Sequence, residues 1–308
     1  NNLGNIQNEL GKFEQAEESL RQAIALKPDF ADAKLNLSLV LAVSNFLEGN
    51  FTKSKKHVLA GAKIQSKLNS QFESEKIYQS YLSKLLDWHE NNYFDNSSFE
   101  NGETLYVIGE SHSLTSHLLC IKRSQINYIC KSFLVKGCKQ WHLGSPKPNH
   151  YKKKFEDIFQ NIPKFSEVML AIGEIDCRLD SGIIKHHKKC QEAMIEESIV
   201  NTVKNYFSYI LDKNRNFNHR ITIQGVPCPN VDTVKYKKTE IRQLIDVIGL
   251  FNEALEMQSK KNGFMFLDLH KLTDRGDGFS NGIWHVDDYH VSPEALLEAW
   301  RCFYRDEK

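Results

Sequence analysis

Residues 100–308 read as an open α/β sheet, mostly parallel and covered by helices on both faces. Residues 1–95 read as an all-helical region ahead of it. Three observations predict this. After residue 104, short and nearly all-apolar runs alternate with long amphipathic stretches, as in parallel strands buried on both sides. Up to residue 88 the apolar residues fall at helical i, i+3, i+4 spacing. Between the two, residues 91–102 (NNYFDNSSFENG) are polar and turn-rich, which puts a domain boundary there.

Composition limits the function classes. The 308 residues suffice for a core without covalent staples. Forty basic against thirty-nine acidic side chains give no bulk attraction to nucleic acid or to an anionic membrane. The lysines at 152–154 and in 235–238 read as solvated faces. Seven cysteines, odd in number and without a C-x-x-C pair, suit reduced thiols and a cytoplasmic setting better than disulfides or structural zinc. No secretory signal or membrane span is visible, although the chain starts on Asn1 inside a helical pattern, so the natural protein is expected to begin earlier.

In chain order, residues 3–30 carry Leu3, Gly4, Gly11, Phe13, Ala16, Leu20, Ala23 and Pro28 at the spacing of a helix pair. This segment resembles a tetratricopeptide repeat, with Ala16, Leu20 and Ala23 in the seam and Gly11-Phe13 at the turn. Residues 31–64 fit less well, because Gly49-Asn50-Phe51 arrives about four residues late. The resemblance implies the tail of a longer array, with a protein partner, self-association, or a plain spacer as its use. Residues 71–88 continue as helix.

The expected strands are 104–108, 141–143, 168–172, 220–224 and 264–268, with 127–135 as an additional one. The expected helices are 113–121, 151–159, 193–211, 238–259 and 293–304. The stretch TLYVIGESHS, residues 104–113, organises the rest: an apolar strand stops at Gly109 and presents Glu110, Ser111 and His112 at the carboxyl edge of the sheet. AIGEIDCR (171–178) repeats that pattern, and WHVDDYH (284–290) precedes the last helix.

Taken in order, Gly109-Glu110-Ser111, Gly144, Gly173-Glu174-Ile175-Asp176 and Asp287-Asp288-Tyr289-His290 resemble the blocks of SGNH (GDSL-type) hydrolases. The resemblance implies a flavodoxin-like three-layer α/β/α fold and metal-free, cofactor-free acyl-ester chemistry on a serine. Carried over, Ser111 is the nucleophile, His290 the general base and Asp287 the carboxylate that orients it. Glu110, Gly144, Asp176 and Arg178 line the oxyanion or substrate side. The expected substrates are small acyl esters, O-acetyl groups of carbohydrates among them, and hydrolysis and acyl transfer both stay open.

Plainer readings stand beside this. Ser111 can be a helix N-cap, His290 a packing residue and Asp176 a loop cap. Asp288 rivals Asp287. His112, Asp176, His285, Asp287, Asp288 and His290 offer enough ligands for a divalent ion, without a recognised spacing. Trp284 and Tyr289 could stack on a sugar or pack on the last helix. Two departures from the family pattern count against catalysis. Glu110 replaces Asp, and Ile175 replaces an Asn that helps bind the oxyanion, a donor whose loss typically costs about a hundred- to a thousandfold in rate. Arg178 is the expected substitute donor. The reading from another class is a silent SGNH-like domain serving as a scaffold with its repeats.

Overall fold

The computed structural model describes residues 1–66, 73–92, 102–123, 125–189 and 194–306. The chain forms two compact units, Asn1–Ser97 and Ser98–Lys308. Most of the turn-rich stretch expected at the boundary, residues 93–101, lies outside the described residues.

The first unit is helical: α1 (Asn2–Glu9), α2 (Phe13–Leu26), α3 (Ala31–Leu47), α4 (Phe51–Gln65) and α5 (Glu73–Asn91). Gly11, at φ +66°, turns α1 into α2. Gly4 lets the two helices close, because a Cβ there would stand 2.6 Å from Cγ of Leu20. Ala16 and Leu20 are fully buried in the seam with Ala33 and Val40, and Ala23 packs at its margin. The late Gly49 has a simple cause: α3 runs 17 residues before the chain turns.

In the second unit six strands, β1 (Glu103–Gly109), β2 (Cys120–Arg123), β3 (Ile126–Leu134), β4 (Glu167–Ala171), β5 (Arg220–Gln224) and β6 (Met265–Leu267), form one sheet in the order β2-β3-β1-β4-β5-β6. All neighbours pair parallel except β2, which runs antiparallel on the β3 edge. Numbered among themselves, the five parallel strands read 2-1-3-4-5, the flavodoxin-like doubly wound order. The helices are α6 (His112–Thr115), α7 (Gln140–Gly144), α8 (His150–Phe159), α9 (Glu174–Cys177), α10 (Ile183–Lys189), α11 (Ile195–Asn214), α12 (Lys238–Asn262), α13 (Leu269–Thr273) and α14 (Pro293–Asp306).

Alternation along the strands sorts the two faces. Ile108, Val168, Leu170, Ile221 and Ile223 join the core formed with α8, α11 and α12. The opposite face is crossed by α14, which touches both β2 and β6 and buries Ala295, Leu296, Ala299 and Trp300. This is the three-layer α/β/α architecture. In such a sheet ligands bind outside the carboxyl ends of the strands where the winding reverses, here the end of β1 between β3 and β4.

Two expected elements are overturned. Residues 141–143 are not a strand but part of α7, and β3 takes the place beside β1. Trp141 shows why: it is 59% exposed, which a central strand buried on both faces does not allow. The helix expected over 113–121 is one turn, α6, after which the chain reverses into β2 through Leu118 at φ +56°.

Candidate active site

Ser111 follows β1 directly. Gly109 ends that strand because nothing larger fits: a Cβ there would lie 2.3 Å from the Ala171 carbonyl oxygen of β4. Ser113 Oγ and the Ser113 N–H both donate to the Glu110 carbonyl, closing a tight turn that leaves Ser111 half-buried at the start of α6.

The partner loop is fixed from both ends. The Ser292 N–H donates to Trp284 O at 2.7 Å and Val286 N–H to His290 O at 2.8 Å, so residues 284–292 close on themselves. Within the loop, Asp287 Oδ1 accepts from the N–H of Tyr289 and of His290 at 2.8 and 2.7 Å. That turn explains the D-x-x-H spacing, because it folds the carboxylate onto the imidazole of the residue three positions on. Thr115 Oγ1 donates to Val291 O, tying the loop to α6.

These constraints bring three distant side chains together. Ser111 Oγ lies 2.8 Å from His290 Nε2, across 179 residues of sequence. His290 Nδ1 lies 2.8 and 3.0 Å from the Asp287 oxygens. Burial opposes ionisation of Asp287, but the hydrogen bond and charge of His290 outweigh it and hold the carboxyl at about 2. An ionised Asp287 keeps the proton on Nδ1, which leaves Nε2 facing the serine. Asp288 makes no contact of this kind: burial and the charge of Asp287 push its carboxyl up, and it faces Asp232 and Lys235.

A second cluster backs the nucleophile turn. Glu110, 1% exposed, accepts from Ser111 Oγ at 2.7 Å and from the His112 N–H at 3.2 Å through Oε2, while Oε1 sits 2.6 Å from His112 Nδ1. His112 Nε2 points to the Tyr289 carbonyl at 3.0 Å. Burial would raise Glu110 and lower His112, but their mutual attraction dominates, leaving Glu110 below the usual carboxylate range and His112 raised to about 9. Arg178 donates to both Glu174 oxygens at 2.8 Å and lies 4.2 Å over the Tyr289 ring.

Several expected roles do not survive this geometry. Gly144 ends α7, where a Cβ would meet Asn205 and the Tyr206 N–H of α11 at 2.9 Å, and it lines the cavity beside that helix, which Ser111, His290 and Asp287 do not. Asp176 accepts from the N–H groups of Gln140 and Trp141 at 2.7 and 3.1 Å, capping α7, with burial pushing its carboxyl to about 7. Arg178 is pinned by Glu174 rather than available as a free donor. Tyr289 packs its ring against the Arg178 guanidinium. Sequence reasoning missed Glu174 as a partner, although its spacing to Arg178 is that of an i, i+4 ion pair.

The six residues considered for a metal do not converge, since Asp176 caps α7, His285 bonds Ser280 at 2.9 Å, and Asp287 and His112 hold other partners. A different trio, Glu110, His112 and Glu174, has ligand atoms within 4.8 Å of one another. Its two carboxylates are already balanced by the His112 and Arg178 cations, which does not suit a divalent ion. Cys177 and Cys228 are buried, which pushes their thiols up, Cys228 to about 12.

A cavity of about 520 Å³ opens beside α7, lined by Trp141, by the predicted residues Gly144 and Asp176, by Lys139, Lys185, His186 and Lys189, and by hydroxyl and amide side chains such as Thr202 and Asn205. Ser111, His290 and Asp287 do not line it. Among the described residues no helix is long and apolar enough to cross a membrane.

Residues 1–30 match the family model of the tetratricopeptide repeat. Among solved structures, the chain is similar to a GDSL-like lipase from Bacteroides thetaiotaomicron, at 12% identity over 71% of this chain and 94% of the other, with a TM-score of 0.42. It is similar to the acetyl xylan esterase AlAXEase at 14% identity over 66% and 98% of the two chains, TM-score 0.41. A variant of an acetyl-xylooligosaccharide esterase from Geobacillus stearmophilus is 14% identical over 66% and 94%, TM-score 0.41. No curated protein matches the sequence.

Proposed function

We propose that this chain hydrolyses acyl esters with Ser111 as nucleophile, His290 as general base and Asp287 as the group that orients the base. The observation that carries the reading is the unbroken relay from Ser111 Oγ through His290 to Asp287, with contacts of 2.8 Å at each step. A serine hydroxyl is a weak nucleophile until an imidazole accepts its proton, and that imidazole needs its other nitrogen held as a donor. Ser111 attacks the ester carbonyl and its proton passes to His290, which returns it to the departing alcohol. Water, activated by the same ring, then releases the acid.

The oxyanion is assigned to the Ser111 amide and to the loop after β3, whose level is fixed by the Val135 N–H bonded to Gly109 O at 2.7 Å. The glycine of that loop is Gly137, at φ +71°. We assign the substrate to short acyl groups on a polyol such as a carbohydrate. The feature that favours a sugar over a lipid is the exposed Trp141 indole beside α7, a face on which a sugar ring can stack, set among hydroxyl, amide and lysine side chains. The helical unit is proposed to bind a protein partner or a second copy. A silent scaffold is the second reading, favoured by one observation: Ile175 has no side-chain donor where the family pattern has an Asn.

A serine-directed fluorophosphonate tests the choice. Labelling of the wild type at Ser111, abolished in Ser111→Ala together with a loss of roughly a thousandfold or more in p-nitrophenyl acetate hydrolysis, is the expected result. An unlabelled wild type leaves the scaffold reading, and turnover abolished by a chelator favours a metal site instead.

A further inference from the structure

The Ser111 hydroxyl carries one proton and faces two acceptors, Glu110 Oε2 at 2.7 Å and His290 Nε2 at 2.8 Å. The Glu110 side holds an ion pair. Both nitrogens of His112 face oxygens, the Glu110 carboxyl at 2.6 Å and the Tyr289 carbonyl at 3.0 Å, and the mutual attraction of the pair holds Glu110 below and His112 above their ordinary ranges, so the ring is a cation with hydrogen on both nitrogens. The carboxyl beside it is the anion, and Oε2 has no proton to give. Glu110 is 1% exposed, so water does not replace a donor it loses.

That loss occurs when Ser111 is acylated. The Oγ–H bond breaks, the proton passes to His290 Nε2, Oγ bonds the acyl carbon, and the alcohol leaves with the proton returned from His290. The resulting ester oxygen has no hydrogen, yet the turn at Gly109 and Ser113 still holds it against Oε2. Two acceptors then meet with nothing between them. In deacylation, water yields a proton to His290 and its oxygen bonds the acyl carbon. The Oγ–C bond breaks, and Oγ takes the proton from His290, restoring O–H···Oε2.

We propose, resting on the serine-esterase reading, that Glu110 is a catalytic residue that hydrogen-bonds the free nucleophile and repels its acylated form, keeping the acyl-enzyme short-lived. Glu110→Asp draws the carboxylate back from Ser111 Oγ and from His112 Nδ1 while keeping its negative charge in the cluster. Glu110→Gln turns a donor toward Oγ.

The test follows p-nitrophenyl acetate by rapid quench and intact mass, with fluorophosphonate labelling of Ser111 alongside. The acetyl-enzyme lifetime is expected to lengthen roughly ten- to a hundredfold in both variants, the scale of one hydrogen bond to a charged group, with a burst of p-nitrophenol. A lifetime unchanged or shortened in a labelled Glu110→Asp overturns the proposal. An unlabelled Glu110→Asp beside a labelled wild type overturns it too, since the carboxylate would then be needed to build the nucleophile. If Glu110→Gln does not fold because it leaves the His112 cation unbalanced, Glu110→Asp decides alone. A wild type that neither labels nor acetylates overturns the esterase reading, and this proposal with it.

Discussion

Two histidines, His112 and His290, stand with ring centroids 4.8 Å apart on either side of one serine turn, and their surroundings give them opposite chemistry. His290 has a carboxylate at one nitrogen and a hydroxyl at the other, so one nitrogen is held as donor while the other can take and return a proton. His112 has a carboxylate and a carbonyl, so both nitrogens are donors and the ring has no lone pair to offer. A base and a fixed cation are thus made from the same side chain by what each nitrogen faces. Proximity to the nucleophile does not separate them.

The largest effects should fall on the first histidine. His290→Ala is expected to lower kcat/KM for short aryl esters by roughly a thousandfold or more, and Asp287→Asn, which permits the wrong tautomer, by a comparable factor. Both variants should melt close to the wild type, since the Asp287 turn also rests on backbone N–H groups that an amide oxygen can accept. Equal losses in stability and activity would break the distinction drawn above.

His112→Gln should show the reverse order. It leaves Glu110 buried without its cation, and breaking a buried ion pair costs about 3–5 kcal/mol. Turnover per folded molecule should fall only about tenfold, equivalent to about 1.4 kcal/mol. The pH dependence sharpens this. The His112 pKa is raised on folding from 6.5 to about 9, so its contribution is complete below pH 6.5 and lost as pH rises through 9. Glu110 is depressed, so its contribution is present above the usual carboxylate range and lost in acid. Wild-type melting temperature should therefore decline from pH 7 to 9.5, and His112→Gln should flatten that decline. A parallel decline in both proteins would mean that the ring is neutral.

The relay was legible in the sequence and the backing cluster was not, for a physical reason. Asp287 and His290 share a turn that a three-residue spacing encodes, and Ser111 follows an apolar strand ending in Gly, so local pattern led to each. Glu110 with His112 and Glu174 with Arg178 are each local pairs, but the two pairs meet because β1 and β4 are neighbours, and pairing across a sheet leaves no mark on spacing. The strand order itself was missed at one point. LVKGCKQWHLG offers apolar residues at 141 and 143 that alternate like a strand, while the donors that make α7 a helix are capped by Asp176, from another strand's end. Gly144 was misplaced by the same error, since the glycine following the second parallel strand is Gly137.

Asp288 gives the smallest effect and the strictest control. It lies beside Asp287 in sequence, carries the same group, and differs only in direction: the turn N–H groups and the imidazole converge on Asp287, while Asp288 faces Lys235 and Asp232. Asp288→Asn removes a like charge from the vicinity of Asp287, whose ionisation already overcomes burial. It should therefore leave kcat/KM within about twofold and stability within about 0.5 kcal/mol, the range of a substitution away from any special feature. If Asp288→Asn instead matches the loss in Asp287→Asn, then the carboxylate that orients His290 in turnover is not the one 2.8 Å from it here. The loop from Trp284 to Ser292 must then rearrange before chemistry, and the contrast between the two histidines describes only the resting state.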